Sequence, residues 1–349
     1  MCGITGFIDF KQNSTMKTLR QMTDVMHHRG PDGSGYKIIE KDKYILGLGH
    51  RRLSIIDLSE TGTQPMSFKE YWVCFNGEVY NYKELKIELE GLGHNFESTS
   101  DTEVVLRAYV QWGSSCLDKF IGMFAFVVYN SNSGDVFCAR DRAGVKPFYY
   151  YINNGLFLFS SELKSFHEHP GFSKKLNLSA VSSFMQYGNV PTPHCIFEDS
   201  FKLKPGHFLA FNIEDKLDLD LLTPDHQKCY WNVYDSYNKP KIDLSFSEAK
   251  QETEKILKSA CDYRMVSDVP VGVFLSGGYD SASVTALLQK DRSVPLKTFT
   301  ISVPDIGLDE APFAKEIAAH LGTEHTEIQC NHKEAIDLIS ELPFYYDEP

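Results

Sequence analysis

Through the first two hundred residues, apolar positions come in short runs separated by Gly, Asn and Pro, the signature of strands joined by tight turns. Residues 2–10 open with Cys-Gly-Ile-Thr-Gly-Phe-Ile, a strand that would bury the start of the chain. Helical spacing follows over 16–27, and His28-Arg29-Gly30-Pro31-Asp32-Gly33 reads as a turn-rich segment. Residues 36–57 are hairpin-like, and a strand at 72–75 runs into the turn signal Asn76-Gly77-Glu78. Two helices come next. Leu85, Leu89 and Leu92 share one face, with Gly93 placed to end it. Val105, Ala108, Tyr109 and Trp112 share another, opened by a Ser100-x-x-Glu103 capping box. Strands resume at 121–130, 134–140, 147–152 and 156–160, and again after Pro205-Gly206, so sheets with helices packed against them are expected.

From 212 to 243 the chain is polar and irregular, which makes this stretch the domain boundary. The aromatic pair Tyr230-Trp231 inside it is expected to pack one domain against the other. Beyond it the pattern changes. Ser245-x-x-Glu248 caps a helix bearing Ile256, Leu257 and Ala260, and an apolar strand at 271–275 leads into Ser276-Gly277-Gly278-Tyr279-Asp280-Ser281. A helix with Val284, Leu287 and Leu288, a strand at 296–303 and a helix with Ala314, Ile317, Ala318 and Leu321 complete a strand-helix alternation that implies a parallel sheet. The expected organisation is a first domain at 2–211, a linker at 212–243 and a second domain at 244–349.

Length and composition agree: 349 residues favour two domains, and 42% hydrophobic with 23% charged residues suit a soluble globular protein. The net charge of -12, with no basic tract, argues against nucleic acid as a partner. The longest apolar run, 123–129, suits a buried strand and not a membrane span. The start of the chain has no basic region or cleavage site, so a cytoplasmic location is expected. Eight cysteines stand singly at 2, 74, 116, 138, 195, 229, 261 and 330, which excludes a zinc-ligand or disulfide pattern. Seven are expected as small buried hydrophobes. No residue is nominated as a metal ligand.

Cys2 differs because removal of Met1 would make it the N-terminal residue. Its thiol is a strong nucleophile, and its α-amine, titrating at about pH 8, can take the thiol proton. Three other features suit an amino-acid substrate, each with a plainer reading. Asn76-Gly77 offers two oxyanion donors or is a hairpin turn. Arg52 can fork onto a carboxylate or belong to a solvated Arg51-Arg52 pair. Asp101 can hold an ammonium group or complement a helix dipole.

Taken together, Cys2-Gly3-Ile4, His28 to Asp32, Arg52-Leu53-Ser54-Ile55, Asn76-Gly77-Glu78, Ser100-Asp101, Arg140 to Pro147 and Ser161-Glu162 resemble the class II N-terminal-nucleophile glutamine amidotransferase domain, in particular that of asparagine synthetases. The resemblance covers roughly residues 2–210. It implies a helix-sheet-sheet-helix sandwich, the N-terminal-nucleophile hydrolase fold, with Cys2 attacking the glutamine side-chain amide. By the same resemblance Asn76 and Gly77 form the oxyanion hole, Arg52 binds the substrate carboxylate, and Glu78 and Asp101 hold its α-amino group.

In the second half, glycines directly after an apolar strand let backbone approach a phosphate, and the following helix start adds positive potential. Ser276, Gly277, Gly278, Asp280 and Ser281 resemble the pyrophosphate loop of ATP pyrophosphatases, although Ala282 replaces a serine often seen there. Asp309-Glu310 and Leu321-Gly322-Thr323-x-His325 also look like the synthetase domain. The resemblance implies ATP and Mg²⁺, an aspartyl-adenylate and its displacement by ammonia. It further implies a later acidic loop, so 244–349 reads as the first part of a partial parallel-sheet ATP-pyrophosphatase domain. Glutamine, aspartate and ATP are the expected small-molecule substrates. A second copy or a complementing polypeptide is a candidate partner. The rival readings are a glutaminase feeding a partner, amidation of a different carboxylate, and a non-catalytic interaction protein retaining the fold.

Overall fold

The computed structural model describes residues 1–214, 222–304 and 309–349; residues 215–221 of the expected linker lie outside them. Contacts divide the chain into two units, Met1–Lys239 with Asp347–Pro349, and Pro240–Tyr346.

The opening apolar run forms strand β1 (Gly3–Asp9), buried at every residue. Helix α1 (Met16–Asp24) and strands β2 (Gly33–Glu40) and β3 (Ile45–Arg52) follow. Next come β4 (Met66–Phe68), β5 (Tyr71–Val79), helices α2 (Tyr82–Gly91), α3 (Asp101–Trp112) and α4 (Cys116–Lys119), and strands β6 (Gly122–Asn130) and β7 (Asp135–Arg140). Strands β8 (Tyr149–Asn153) and β9 (Leu156–Ser160), helices α5 (Lys164–His167) and α6 (Leu178–Tyr187), and strands β10 (Ser200–Lys202), β11 (His207–Asn212) and β12 (Lys228–Cys229) complete the first unit's sheets.

Two six-stranded antiparallel sheets result, ordered β10-β8-β9-β1-β3-β2 and β12-β11-β7-β6-β5-β4. Period-two alternation decides their packing. Ile4, Ile8, Leu46 and Leu48 from the first sheet meet Cys74, Val127, Tyr129 and Cys138 from the second in one core. Phe7 and Leu158, on the opposite face of the first sheet, pack against Leu19 and Met22 of α1 and Phe166 of α5. Outside the second sheet, Tyr109 of α3 brings its ring 4.8 Å from Phe137 of β7. This is the expected helix-sheet-sheet-helix sandwich.

Several local expectations change. Asn76-Gly77-Glu78 is no turn: it continues β5, paired Asn76↔Ala125, Gly77↔Phe124 and Glu78↔Met123. Glycine is required at 77 by closeness, since a Cβ there would lie 2.3 Å from Met123 O. The helix expected over 16–27 stops at Asp24, and a 3₁₀ turn, His27–Arg29, follows. Ser100 caps α3 through Thr102 N, but Glu103 does not close a capping box. Its carboxylate instead accepts from Ser98 N at 2.8 Å and pairs with Arg107 at 2.9 Å. Tyr230 and Trp231 fold back onto the first unit, both N–H groups donating to Gly206 O and the Tyr230 hydroxyl to Arg140 O. Of the seven cysteines expected to be buried, Cys229 is exposed and Cys261 and Cys330 are half-buried.

In the second unit, helix α7 (Val233–Tyr237) having closed the first, α8 (Phe246–Tyr263) carries the expected Ser245–Glu248 capping box. Strand β13 (Gly272–Phe274), helix α9 (Tyr279–Gln289), strand β14 (Lys297–Ser302), helix α10 (Ala311–Leu321) and strand β15 (Glu324–Gln329) give a parallel three-stranded sheet. Leu275, Ala314 and Ala318 form its small core. The apolar residues Ile256 and Leu257 of α8 are exposed, Ile256 at 65%. Among the described residues no helix is long and apolar enough to cross a membrane.

One buried carboxylate shapes the turn after β7. Asp141, 1% exposed, accepts from the N–H groups of Phe124, Ala143, Val145 and Lys146 at 2.9–3.1 Å. Removing it strands four donors at once. Asp141→Ala is therefore expected to destabilise the first unit by about 3 kcal/mol, read as a lowered denaturant midpoint.

Candidate active site

The site begins where β1 enters the sheet. Pairing of Gly3 with Arg51 sets Cys2 beside Leu53, whose N–H donates to Cys2 Sγ at 3.4 Å and whose carbonyl accepts from it at 3.6 Å. On the other side of β1, Ile4 N donates to Ser161 Oγ at 3.1 Å. Ser161 Oγ also accepts from Asn76 Nδ2 at 3.3 Å. One hydroxyl thus ties the first strand of one sheet to β5 of the other. Asn76 is fully buried, and its Oδ1 has no partner.

Cys2, Arg52, Asn76, Gly77, Glu78 and Asp101 all line one pocket of ≈ 250 Å³, together with Met1 and Lys146. The six residues nominated from sequence thus converge although 99 positions separate the first from the last. Arg51 is not among the lining residues. It is buried and donates to Gly30 O and Asp24 Oδ1. Arg52 is held by Ser59 O at 2.7 Å and by Asp57 O, which fixes its guanidinium at the pocket wall.

The pocket's charges are poorly hydrated. Burial pushes the Asp101 carboxyl up to about 7, against a hydrogen bond from Val79 N at 3.0 Å, and the nearby Glu78 adds to the rise. Burial also raises Glu78, opposed by Lys146. The Lys146 ammonium, 3% exposed, is itself pushed down by burial, and it donates to Met1 Sδ at 3.1 Å. Burial raises the Cys2 thiol while the Leu53 N–H favours its thiolate. Met1 precedes Cys2 here, and burial lowers its terminal amine toward the neutral, proton-accepting form. A thiol, an amine of reduced basicity, a guanidinium and two carboxylates around one small cavity can bind a zwitterion and open an acyl bond.

Lys146 was not nominated from sequence, although the segment containing it was singled out. Its place follows from Asp141, which holds the 141–146 turn by backbone bonds that carry no side-chain pattern. Ser161 was likewise quoted without a role.

In the second unit, Ser276, Gly277 and Gly278 form the turn between β13 and α9, and Asp280 and Ser281 lie in the first turn of α9. Ser281 Oγ accepts from Ser276 N at 3.1 Å and lies 2.8 Å from Ser276 Oγ, while Gly278 N donates to Ser276 Oγ at 3.2 Å. Gly278 is the N-cap of α9. Among the described residues no group of three or more His, Cys, Asp or Glu gathers to hold a metal ion.

Residues 1–220 match the family model of a glutamine amidotransferase domain, and residues 252–349 that of asparagine synthase. A putative asparagine synthetase (glutamine-hydrolyzing) 2 of Methanocaldococcus jannaschii is 36% identical, the match covering 100% of this chain and 68% of the relative. Asparagine synthetase (glutamine-hydrolyzing) 3 of Bacillus subtilis is 35% identical, with 100% of this chain and 57% of the relative covered. Amidase chry2 of Gibberella zeae is 30% identical, covering 100% of this chain and 54% of the relative. The chain spans between about half and two-thirds of these relatives' lengths.

The raised Asp101 carboxyl carries a stability consequence with a definite sign. The folded state holds this proton more tightly than the unfolded one, so stability falls as pH rises from about 4 to about 7 and stays lower above. Asp101→Asn keeps an acceptor for Val79 N without the charge. It is expected to be more stable than the wild type at pH 8 by about 1–3 kcal/mol, the difference vanishing toward pH 4 in denaturant titrations.

Proposed function

We propose that this chain, which belongs to the glutamine-hydrolysing asparagine synthetase family, releases ammonia from glutamine at Cys2 for the ATP-dependent amidation of aspartate. The observation that carries the reading is the convergence of Cys2, Arg52, Asn76, Gly77, Glu78 and Asp101 on one pocket sized for an amino acid.

With Met1 removed, the Cys2 thiol passes its proton to its own amine and attacks the side-chain amide carbon of glutamine. Arg52 takes the substrate's α-carboxylate, and Glu78 and Asp101 take its ammonium. The substrate's positive charge also offsets the burial that raises the Asp101 carboxyl, and so favours its charged form. Negative charge forming on the amide oxygen meets Gly77 N–H and the Asn76 amide. Exchanging the two ends of that amide lets Oδ1 accept the Ser161 hydroxyl proton and leaves Nδ2 as the open end, a donor where an unpartnered acceptor stood. As the C–N bond breaks, the amine's proton goes to the leaving nitrogen, giving ammonia and a Cys2 glutamyl thioester. Water then cleaves the thioester to glutamate and the free thiol.

Ser276, Gly277, Gly278, Asp280 and Ser281 are proposed to take the pyrophosphate oxygens of ATP, with aspartate's side-chain carboxylate activated as an acyl-adenylate that ammonia opens. Mg²⁺ would share the phosphate charge; the described residues do not gather a site for it, and no step is assigned to it. A location in the cytoplasm, where all three substrates are found, belongs to the same proposal, as does a second copy or another polypeptide as partner. Amidation of a carboxylate other than aspartate is the second reading, since one relative at 30% identity is named an amidase and not an asparagine synthetase.

Glutamate release from glutamine, followed with and without ATP and aspartate, tests the proposal, and chromatography of the amidated product separates aspartate from other acceptors. Cys2→Ala is expected to abolish glutamate release while the circular-dichroism spectrum stays native. Asn76→Ala should lower kcat by roughly 10²–10³-fold, whereas Arg52→Ala should act chiefly on KM. The opposite division between kcat and KM would overturn the assigned roles.

A further inference from the structure

Residues Asp347–Pro349 belong to the first unit, where two acidic side chains meet two well-buried lysines. Asp347 accepts from Leu163 N at 2.6 Å and Lys164 N at 3.3 Å, and lies 2.9 Å from Lys164 Nζ. Glu348 accepts from Ile196 N at 2.9 Å and pairs with Lys202 Nζ at 2.5 Å. All four side chains are only 9–13% exposed. Ion pairs this dry hold only when backbone donors satisfy the remaining lone pairs, and here they do.

The two branches differ in where they lead. The Glu348 pair ends at Lys202. Lys164, by contrast, also lies 2.6 Å from Glu162. Glu162 pairs with Arg29 at 2.9 Å and His28 at 3.0 Å, and Arg29 Nε donates to the Cys2 carbonyl at 2.9 Å. The other terminal nitrogen of Arg29, Nη2, is buried without a partner, so the guanidinium depends on Glu162 and the Cys2 carbonyl for its position. Glu162 must therefore divide its charge between Lys164 and Arg29. Asp347 takes part of the Lys164 charge and leaves more of Glu162 for Arg29.

We propose that Asp347 is a positioning residue for the Cys2 nucleophile, acting through Lys164, Glu162 and Arg29. The inference rests on the reading of Cys2 as nucleophile. Without the Asp347 charge, Lys164 draws more strongly on Glu162, the hold on Arg29 loosens, and the Cys2 backbone loses its register against Asn76 and Ser161.

The test compares Asp347→Asn, Asp347→Glu and Glu348→Gln in the full chain, reading Cys2 alkylation by iodoacetamide with peptide mass spectrometry alongside glutaminase kinetics. Asp347→Asn is expected to slow both Cys2 alkylation and kcat by about 5–20-fold with KM within about twofold, the scale of a displaced reacting group. Asp347→Glu should return both to within about twofold of the wild type, and Glu348→Gln, which loosens the same segment without touching the path to Cys2, should leave both there. A simple through-space charge effect has the opposite sign, because losing a negative charge favours the thiolate and speeds alkylation. Faster or unchanged alkylation in Asp347→Asn overturns the inference, as does equal slowing in Glu348→Gln. Alkylation needs no turnover, so a wild type that fails to hydrolyse glutamine would remove the Cys2 reading while this comparison still stands.

Discussion

The first unit depends on one constraint: its opening strand is an inner strand of a sheet. β1 is hydrogen-bonded to β3 on one side and β9 on the other, and every one of its residues is buried. Chain termini ordinarily fray, because ordering them costs entropy and gains few contacts. Here the contacts come from both neighbours and both faces, and Cys2 inherits a fixed position from a strand that cannot shift by one residue without turning Ile4 and Ile8 out of the core. The thiol's contacts with Leu53 and the Arg29 bond to the Cys2 carbonyl follow from that register.

The second consequence is electrostatic. Charges buried in the pocket wall are costly unless they offset one another. Glu78, Asp101, Lys146 and the terminal amine all titrate away from their ordinary ranges, burial being the first cause in each case. The site keeps one carboxylic acid near neutrality, an arrangement that a zwitterionic ligand relieves and that an uncharged one would not.

Much of this could be read from the chain. Period-two runs located β1, β6 and the hairpin partners, and the glycine-rich turn after an apolar strand located the loop before α9. The residues of the pocket were legible as chemical types, and folding supplied their convergence. What failed was local punctuation. Asn76-Gly77 has the composition of a turn, but its glycine answers to the crowding of Met123 on the next strand, a tertiary fact with no local trace. Ser100-x-x-Glu103 has capping-box spacing, yet Ser98 and Arg107 outbid the helix start for the glutamate. Lys146 and Ser161 act through backbone turns and a shared hydroxyl, which leave no periodic signal.

The pairing of β1 with β9 also sets a clock. A strand at the very beginning of the chain waits for partners about 40 and 150 residues later, so the ribosome must finish most of the first unit before the terminus can be enclosed. At about 5–20 residues per second, that interval is on the order of 10 s. During it Met1 stays on an unpaired, flexible end, open to trimming. Once the sheet closes, its thioether lies against Lys146 and its amine is half-withdrawn from water. The topology of a single sheet thus sets how long Met1 stays within reach of trimming.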